Sequence, residues 1–107
     1  MFGMHGCPAC EDYLPRFFRQ LEGFIALGQP FVIYEPGGAI ATGQIPVIVC
    51  DAASQDPSVV QLADQHHVSG LPTTLLIPRM GFPAKYEGAL SDVQIYNLLN
   101  AAVATNR

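Results

Sequence analysis

The chain has 107 residues, of which 50% are hydrophobic and 13% charged, and its formal net charge is −4. That length predicts one domain over residues 1–107, and the apolar fraction excludes a disordered chain. The acidic balance argues against a nucleic-acid-binding protein, which needs basic residues to neutralise phosphates. No charge-free stretch of about 18 apolar residues occurs, so we expect no membrane span.

The first half of the chain predicts one long helix between short strands. Residues 1–5 are apolar and favour a very short strand. Residues 8–28 have apolar side chains at spacings of three and four, as in a helix with one buried face. Residues 31–34 and 45–50 are rich in apolar and β-branched side chains, which favours strands. We interpret the segment 29–44, with Pro and Gly clustered near its centre, as a loop or insertion. The apolar positions of this helix include Leu14, Phe17, Phe18, Leu21, Phe24 and Ile25.

The second half of the chain predicts a helix, a hairpin and a last helix. Asp56 and Ser91 have side chains typical of an N-cap, and each precedes a helical pattern. The predicted elements are a helix over 57–67, strands over 73–77 and 85–87, and a helix over 92–103. The predicted inward positions of the first of these helices are Val60, Leu62 and Ala63. The apolar positions of the last helix are Val93, Ile95, Tyr96, Leu98, Leu99 and Ala102. Alternating strands and helices imply parallel pairing early in the chain, and the hairpin implies antiparallel pairing late, in one mixed α/β domain.

The strongest chemical signal is a pair of cysteines, Cys7 and Cys10, at the predicted start of the first helix. A helix N-terminus carries unpaired N–H groups and about half a positive charge, which stabilises a thiolate. The thiolate is the species that attacks a disulfide, so Cys7 is the predicted nucleophile. Cys10 lies one helical turn further in and is the predicted resolving thiol. The pair therefore predicts a thiol–disulfide oxidoreductase.

A zinc site is the main alternative use of this pair, because other donors could complete it. The candidates are Cys50 with one of His5, His66 or His67. No second pair at ligand spacing occurs, and we expect no metal. Glu11 stands where a c-type haem site needs His, which excludes that site. We expect Cys50, at the end of an apolar strand, to be an inert core thiol, and the two adjacent histidines to end a helix.

Separate segments of the chain resemble the thioredoxin superfamily. Residues 2–10 resemble the start of a glutaredoxin, where a first strand runs into Gly-Cys-Pro-x-Cys. Residues 68–77 are similar to the thioredoxin Val-x-x-x-Pro-Thr segment, and residues 86–91 to the Gly-x-x-Ser that leads into the final helix. Pro15 matches the proline that kinks the first helix of thioredoxins. The resemblance covers most of the chain and leaves residues 29–44 unmatched.

The resemblance implies a thioredoxin-like fold, with a central mixed sheet of about four strands flanked by three helices. It implies a cis peptide bond between Leu71 and Pro72, in a loop beside the cysteine pair that leaves the Leu71 backbone free to pair with an extended substrate. It also implies protein disulfide substrates, a reductase or glutathione as electron donor, and no cofactor besides the redox-active disulfide Cys7–Cys10. The implied substrate-binding residues are Gly6, Pro8, Ala9, Leu71, Pro72 and Gly88.

The chain also departs from thioredoxins in ways that bear on mechanism. It has no Trp, and Met1 stands where thioredoxins bury an Asp that helps the resolving thiol to lose its proton. We therefore expect slow resolution by Cys10, with water or Glu11 taking the proton. A glutathione-dependent glutaredoxin is the first alternative function. Asp92 points to it, although Ser91 and Asp92 also suit the start of the last helix. A non-enzymatic binding module with a thioredoxin fold is the second alternative.

The expected location follows from the residues that precede the cysteine pair. They contain no Lys or Arg and lack the pattern of a secretory signal. We expect a cytoplasmic protein, in a compartment where thiol pairs are kept reduced and act as reductants, and we expect a monomer. The dipeptide Pro8-Ala9 leaves the direction of electron flow open, since potentials of related centres span about −270 to −120 mV.

Overall fold

Short strands and three helices alternate along the computed structural model, which describes residues 1–4, 6–34, 41–78 and 81–106. The elements are β1 (Phe2–Gly3), α1 (Pro8–Ala26), β2 (Phe31–Tyr34), β3 (Ile45–Ile48), β4 (Cys50–Asp51), α2 (Pro57–Gln65), β5 (Thr73–Leu76), β6 (Ala84–Glu87) and α3 (Asp92–Thr105). The mixed α/β class expected from the sequence is confirmed. No helix of the described residues has the length and apolar character needed to cross a membrane.

Four of the strands form one mixed sheet in the order β4-β1-β5-β6. The central strand β1 is parallel to β4, with Phe2 opposite Cys50, and antiparallel to β5, with Phe2 opposite Thr73. Strands β5 and β6 form an antiparallel hairpin. The expected parallel pairing early in the chain and antiparallel pairing late are both confirmed.

The prediction of one strand over residues 45–50 is wrong. The strand is interrupted at Val49, and its two parts pair with different neighbours. β3 pairs in parallel with β2 in a separate two-stranded sheet, while β4 pairs with β1. β1 is only two residues long, so it pairs with Cys50 and Asp51 and cannot pair with residues 45–48 as well.

The segment 29–44, interpreted from the sequence as a loop or insertion, contributes both to a sheet and to the core. Its residues 31–34 form β2, and Phe31 is buried among the residues of α1 and α3. Residues 35–40, the Pro- and Gly-rich centre of the segment, lie outside the described part of the chain.

The core consists of two clusters on opposite sides of the sheet. The larger one joins α1 and α3; its buried residues are Tyr13, Phe17, Leu21, Phe24, Phe31, Val47, Leu90, Ile95, Leu98, Leu99 and Ala102. The smaller one consists of Phe2, Cys50 and Val59, with α2 packed over them. Successive side chains of a strand point to opposite faces. Phe2 therefore joins the cluster under α2, and Gly3 faces α1.

The expected inward position Val60, and three other apolar positions of the helices, lie on the surface. In α2, Val59 is 4% exposed and Val60 is 43% exposed, because the buried stripe follows Val59, Leu62 and Ala63 at helical spacing. Ile25 of α1 is likewise exposed. In α3 the buried stripe follows Ile95, Leu98, Leu99 and Ala102, which leaves Val93 and Tyr96 exposed. The helices end at Ala26, Gln65 and Thr105 rather than at residues 28, 67 and 103.

Candidate functional site

Cys7 is the N-cap of α1. Its backbone is extended, with φ −91° and ψ 108°, and Pro8 follows in the first helical turn. The Cys7 backbone N–H donates to the Met4 carbonyl at 3.2 Å, which closes a tight turn between β1 and the helix. Gly6 lies within that turn at φ +83°, a conformation that favours glycine. The local sequence thus places a sulfur at the positive end of a helix of 19 residues.

The two sulfurs of the pair lie in different environments. Cys7 and Cys10 are joined by a disulfide, with their Cα atoms 5.2 Å apart. The Cys10 backbone N–H donates to the Cys7 sulfur at 3.2 Å. Cys7 is partly exposed, whereas Cys10 is 0% exposed. A reagent in solvent can therefore reach the first sulfur and not the second.

Gly3 is the neighbour of Cys10 on the central strand. A Cβ placed on Gly3 would lie 3.7 Å from the Cys10 Cβ, 3.8 Å from its sulfur and 3.7 Å from Leu14 Cδ1. These are ordinary van der Waals distances, so the backbone of β1 passes directly against Cys10. A methyl group fits in this gap, and a branched side chain would displace Cys10 or Leu14.

The loop before β5 also lies next to Gly3. The peptide bond between Leu71 and Pro72 is cis, as the resemblance implies. Thr73 pairs with Phe2, and the antiparallel register advanced by one residue sets Pro72 opposite Gly3. Pro72 and Cys10 therefore flank the same residue of β1.

Gly88 is tied to this loop through the backbone. Its N–H donates to the Pro72 carbonyl at 2.8 Å, and its φ of +85° favours glycine at this position. Of the remaining implied site residues, Gly6, Pro8 and Ala9 are exposed around Cys7. Leu71 is partly exposed at the edge of the site. The structure thus brings the cysteine pair, the proline loop and Gly88 to one end of the sheet.

A buried hydrogen bond that the sequence pattern did not predict lies below the site. The hydroxyl oxygens of Tyr13 and Thr74 lie 2.9 Å apart, joining α1 one turn after Cys10 to β5 two residues after Pro72. Burial raises the pKa of Tyr13, an effect that its bond to Thr74 and the nearby Arg16 partly offset. Thr74, in a strand that continues into two leucines, was the available signal, because a buried hydroxyl needs a partner.

Ser91 is the N-cap of α3, and Asp92 lies in its first turn. Ser91 accepts a hydrogen bond from the Gln94 backbone at 3.2 Å, and the Gln94 side chain accepts one from the Ser91 backbone at 2.8 Å, which forms a capping box. Arg16 of α1 bonds to Asp92 at 3.1 Å and donates to the Leu90 carbonyl at 2.8 Å. The expected helix-starting role of Ser91 and Asp92 is confirmed.

Cys50 lies in the core away from the pair. It is 1% exposed beside Phe2 and Val59, and burial raises the pKa of its thiol. A neutral, inaccessible thiol matches the expected inert role.

The two adjacent histidines lie at the end of α2. His66 is its C-cap, and Lys85 donates to the carbonyl oxygens of His66 at 3.4 Å and His67 at 3.2 Å. Lys85 thereby supplies the cation that the negative end of a helix favours. His5, another candidate zinc ligand, is outside the described residues. Within the residues that the structure describes, no three His, Cys, Asp or Glu side chains converge on a point that could hold a metal.

No protein-family model, no curated protein and no solved structure gives a significant match to the chain. The chemistry of the cysteine pair and of its surroundings therefore carries the functional conclusion.

Proposed function

We propose that this protein is a thiol–disulfide oxidoreductase with a thioredoxin-like fold, in which Cys7 is the nucleophile and Cys10 the resolving thiol. The asymmetry of the pair is the observation that carries the proposal. One sulfur is partly exposed and caps a helix, and the other is fully buried one turn further along. A cysteine pair that only stabilised the fold would gain little from closing so short a loop.

The reduced protein begins the reaction at Cys7. Its thiolate attacks one sulfur of a substrate disulfide, the substrate S–S bond breaks, and the second substrate sulfur leaves as a thiolate that takes a proton from water. The Cys10 thiol then loses its proton to water or Glu11, and its sulfur attacks the Cys7 sulfur. The bond between Cys7 and the substrate breaks, and the first substrate sulfur leaves as a thiolate that takes a proton from water. The substrate gains two electrons and two protons, and the protein is left with the Cys7–Cys10 disulfide. A reductase or glutathione returns the two electrons.

The helix start supports the first step. The α1 N-terminus favours a negative charge by about 0.3–1 kcal/mol at an exposed site. The Cys10 backbone N–H, 3.2 Å from the Cys7 sulfur, adds a donor whose bond strengthens when that sulfur is charged. Both effects favour the thiolate that attacks and that later leaves. In a cytoplasmic setting the pair would be held reduced and the protein would act as a reductant.

Protein disulfides are the substrates that this site suits. β5 begins at Thr73, so Leu71 lies outside the ladder, partly exposed at the edge of the site. An extended segment of a substrate can form backbone hydrogen bonds with such a residue, in the manner of an added strand. The exposed Gly6, Pro8 and Ala9 leave the approach to Cys7 open.

A redox titration tests the proposal. The purified protein is equilibrated across ratios of reduced to oxidised glutathione, alkylated, and weighed by mass spectrometry. We expect one two-electron step confined to the Cys7–Cys10 pair, with Cys50 unaffected. Reduction of a peptide disulfide should be lost in Cys7→Ser and retained in the matched control Cys50→Ser. A pair that does not oxidise, or that binds zinc when reduced, would favour the binding module.

Cys10→Ser separates the proposal from the glutaredoxin alternative. A dithiol mechanism leaves this variant trapped as a mixed disulfide between Cys7 and the substrate, visible as an added mass. A glutathione-dependent monothiol mechanism needs only Cys7, so activity on a glutathionylated thiol would persist. Persistence at an undiminished rate would move the assignment to a glutaredoxin.

A further inference from the structure

A groove of about 280 Å³ opens beside Leu71, between α2 and the chain that leads into β5. Val60 and Ala63 form its α2 side, Val68 and Leu71 the opposite side, and Phe2 of the central strand its base. These surfaces are apolar. Asp64, which is exposed, is the charged residue among the described ones that line the groove.

The groove opens at the same end of the sheet as the cysteine pair. β1 and β4 are parallel and end together, and the Ala52 backbone N–H donates to the Gly3 carbonyl at 2.8 Å at this edge. Ala52 also lines the groove. Phe2 points to the groove and Gly3 to Cys10, so the groove and the pair lie on opposite faces of one sheet edge.

A substrate segment bound along Leu71 would direct one of its side chains towards the groove. Successive side chains of an extended segment point in opposite directions. If the reacting cysteine of the substrate points to Cys7, the residue next to it points to the other face of the sheet. That face carries the groove, which is continuous with the Leu71 edge on which the proposed function relies.

We infer that the groove is a specificity subsite for a lysine or arginine side chain next to the reacting cysteine of a protein disulfide substrate. The aliphatic stem of such a side chain packs on Val60, Ala63 and Val68, and its cation lies near the Asp64 carboxylate. An acidic residue next to the substrate cysteine would instead be repelled by the Asp64 carboxylate. The formal net charge of the chain, −4, adds to this repulsion. This inference rests on the proposed function and narrows its substrate class.

Symmetrical disulfides of short peptides, Ala-Ala-Cys-Xaa-Ala and Ala-Xaa-Cys-Ala-Ala, test the subsite in both chain directions. Xaa is lysine, norleucine or glutamate, and the single-turnover rate constant with the reduced protein is measured for each. Each rate constant is divided by that of the same peptide with dithiothreitol. This ratio corrects for the effect of Xaa on the intrinsic reactivity of the peptide disulfide. In one of the two peptide series, we expect the lysine peptide to react roughly three-fold faster than the norleucine peptide, as for exposed charge pairs. The glutamate peptide of that series should react more slowly than the norleucine peptide.

The variants assign the preference to Asp64. In Asp64→Asn the ratio of lysine to norleucine rates should fall towards one, while in Glu22→Gln, which removes an equal charge from an exposed position on α1, it should keep its original value. Added salt at about 0.5 M should lower the ratio in the unmodified protein, because it screens exposed charges.

Two kinds of failure are distinguishable. Equal corrected rates for lysine and norleucine, or a preference that survives Asp64→Asn, overturn the subsite and leave the oxidoreductase standing. Failure to reduce any of the peptides, or equal rates with Cys7→Ser, overturns the proposed function itself.

Discussion

Tyr13 and Thr74 share a hydrogen bond of 2.9 Å between their side-chain oxygens, in the buried layer between α1 and the sheet. The two residues are 61 positions apart in the chain. Each lies close to a part of the candidate site, Tyr13 after Cys10 and Thr74 after Pro72. The bond therefore ties the helix that carries the cysteine pair to the strand that carries the proline loop.

Removing one partner of this bond should destabilise the protein. In Tyr13→Phe or Thr74→Val the remaining buried hydroxyl loses its partner, and we expect the free energy of unfolding to fall by about 1–3 kcal/mol. In the double variant both sites are apolar, so its loss should be clearly smaller than the sum of the single losses. Urea denaturation of the four proteins measures this coupling. Strictly additive losses would show that the two hydroxyls do not interact.

Gly3 should tolerate alanine and not a branched residue. An alanine Cβ would lie at ordinary contact distances from Cys10 and Leu14. We expect Gly3→Ala to change the free energy of unfolding little, whereas Gly3→Val should lower it by about 1–3 kcal/mol through overpacking. Gly3→Val should also slow the decay of the mixed disulfide, because it displaces Cys10. Thermal denaturation and mixed-disulfide decay measured on both variants check this prediction, and equal behaviour of alanine and valine would contradict it.

The buried thiol of Cys50 should make stability depend on alkaline pH. Its pKa is raised in the folded protein by burial, above the value of about 8.5 that an unfolded chain has. The folded state therefore keeps this proton where the unfolded state releases it. The stabilisation is complete below about pH 8.5 and is lost as the pH rises towards the folded pKa, with a slope of at most about 1.4 kcal/mol per pH unit.

Comparison with Cys50→Ala separates this effect from groups that titrate at alkaline pH and are not coupled to Cys50, such as Tyr13. The free energy of unfolding is measured at pH 7.5 and 9.5 for both proteins. We expect the unmodified protein to lose more stability over this interval than the variant does. The same loss in both would mean that Cys50 titrates alike in the folded and unfolded chains.

The capping box at Ser91 should stabilise α3. Ser91→Ala removes the acceptor for the Gln94 backbone N–H, and we expect a loss of about 1 kcal/mol in the free energy of unfolding. Ser58→Ala is the matched control, since in the first turn of α2 it is the Ser58 backbone, and not its hydroxyl, that bonds to Asp56. Chemical denaturation of both variants measures the difference. Equal losses would show that the Ser91 hydroxyl has no special role.

Local features were predictable because their physics is contained within a few residues. Pro8 after Cys7 marks the start of α1, and Ser91 followed by Gln94 marks the start of α3, since a cap and its partner lie within one turn. The burial of Cys10 follows from its position one turn inside a helix with an apolar face. Apart from Cys7 and Cys10 themselves, the site residues came from the resemblance. The structure has the cis peptide bond before Pro72 that the resemblance implies.

The sequence by itself determined the cysteine pair at a helix start, the three helices and the pairing directions of the main sheet. Only the tertiary structure decided that the strand over 45–50 divides between two sheets and that Val59 rather than Val60 is buried. It also decided that Tyr13 meets Thr74 and that Asp64 lies at a groove next to Leu71. These contacts depend on the rotation of each helix and the register of each strand. Those are set jointly by packing across the whole core and are not contained in any local stretch of residues.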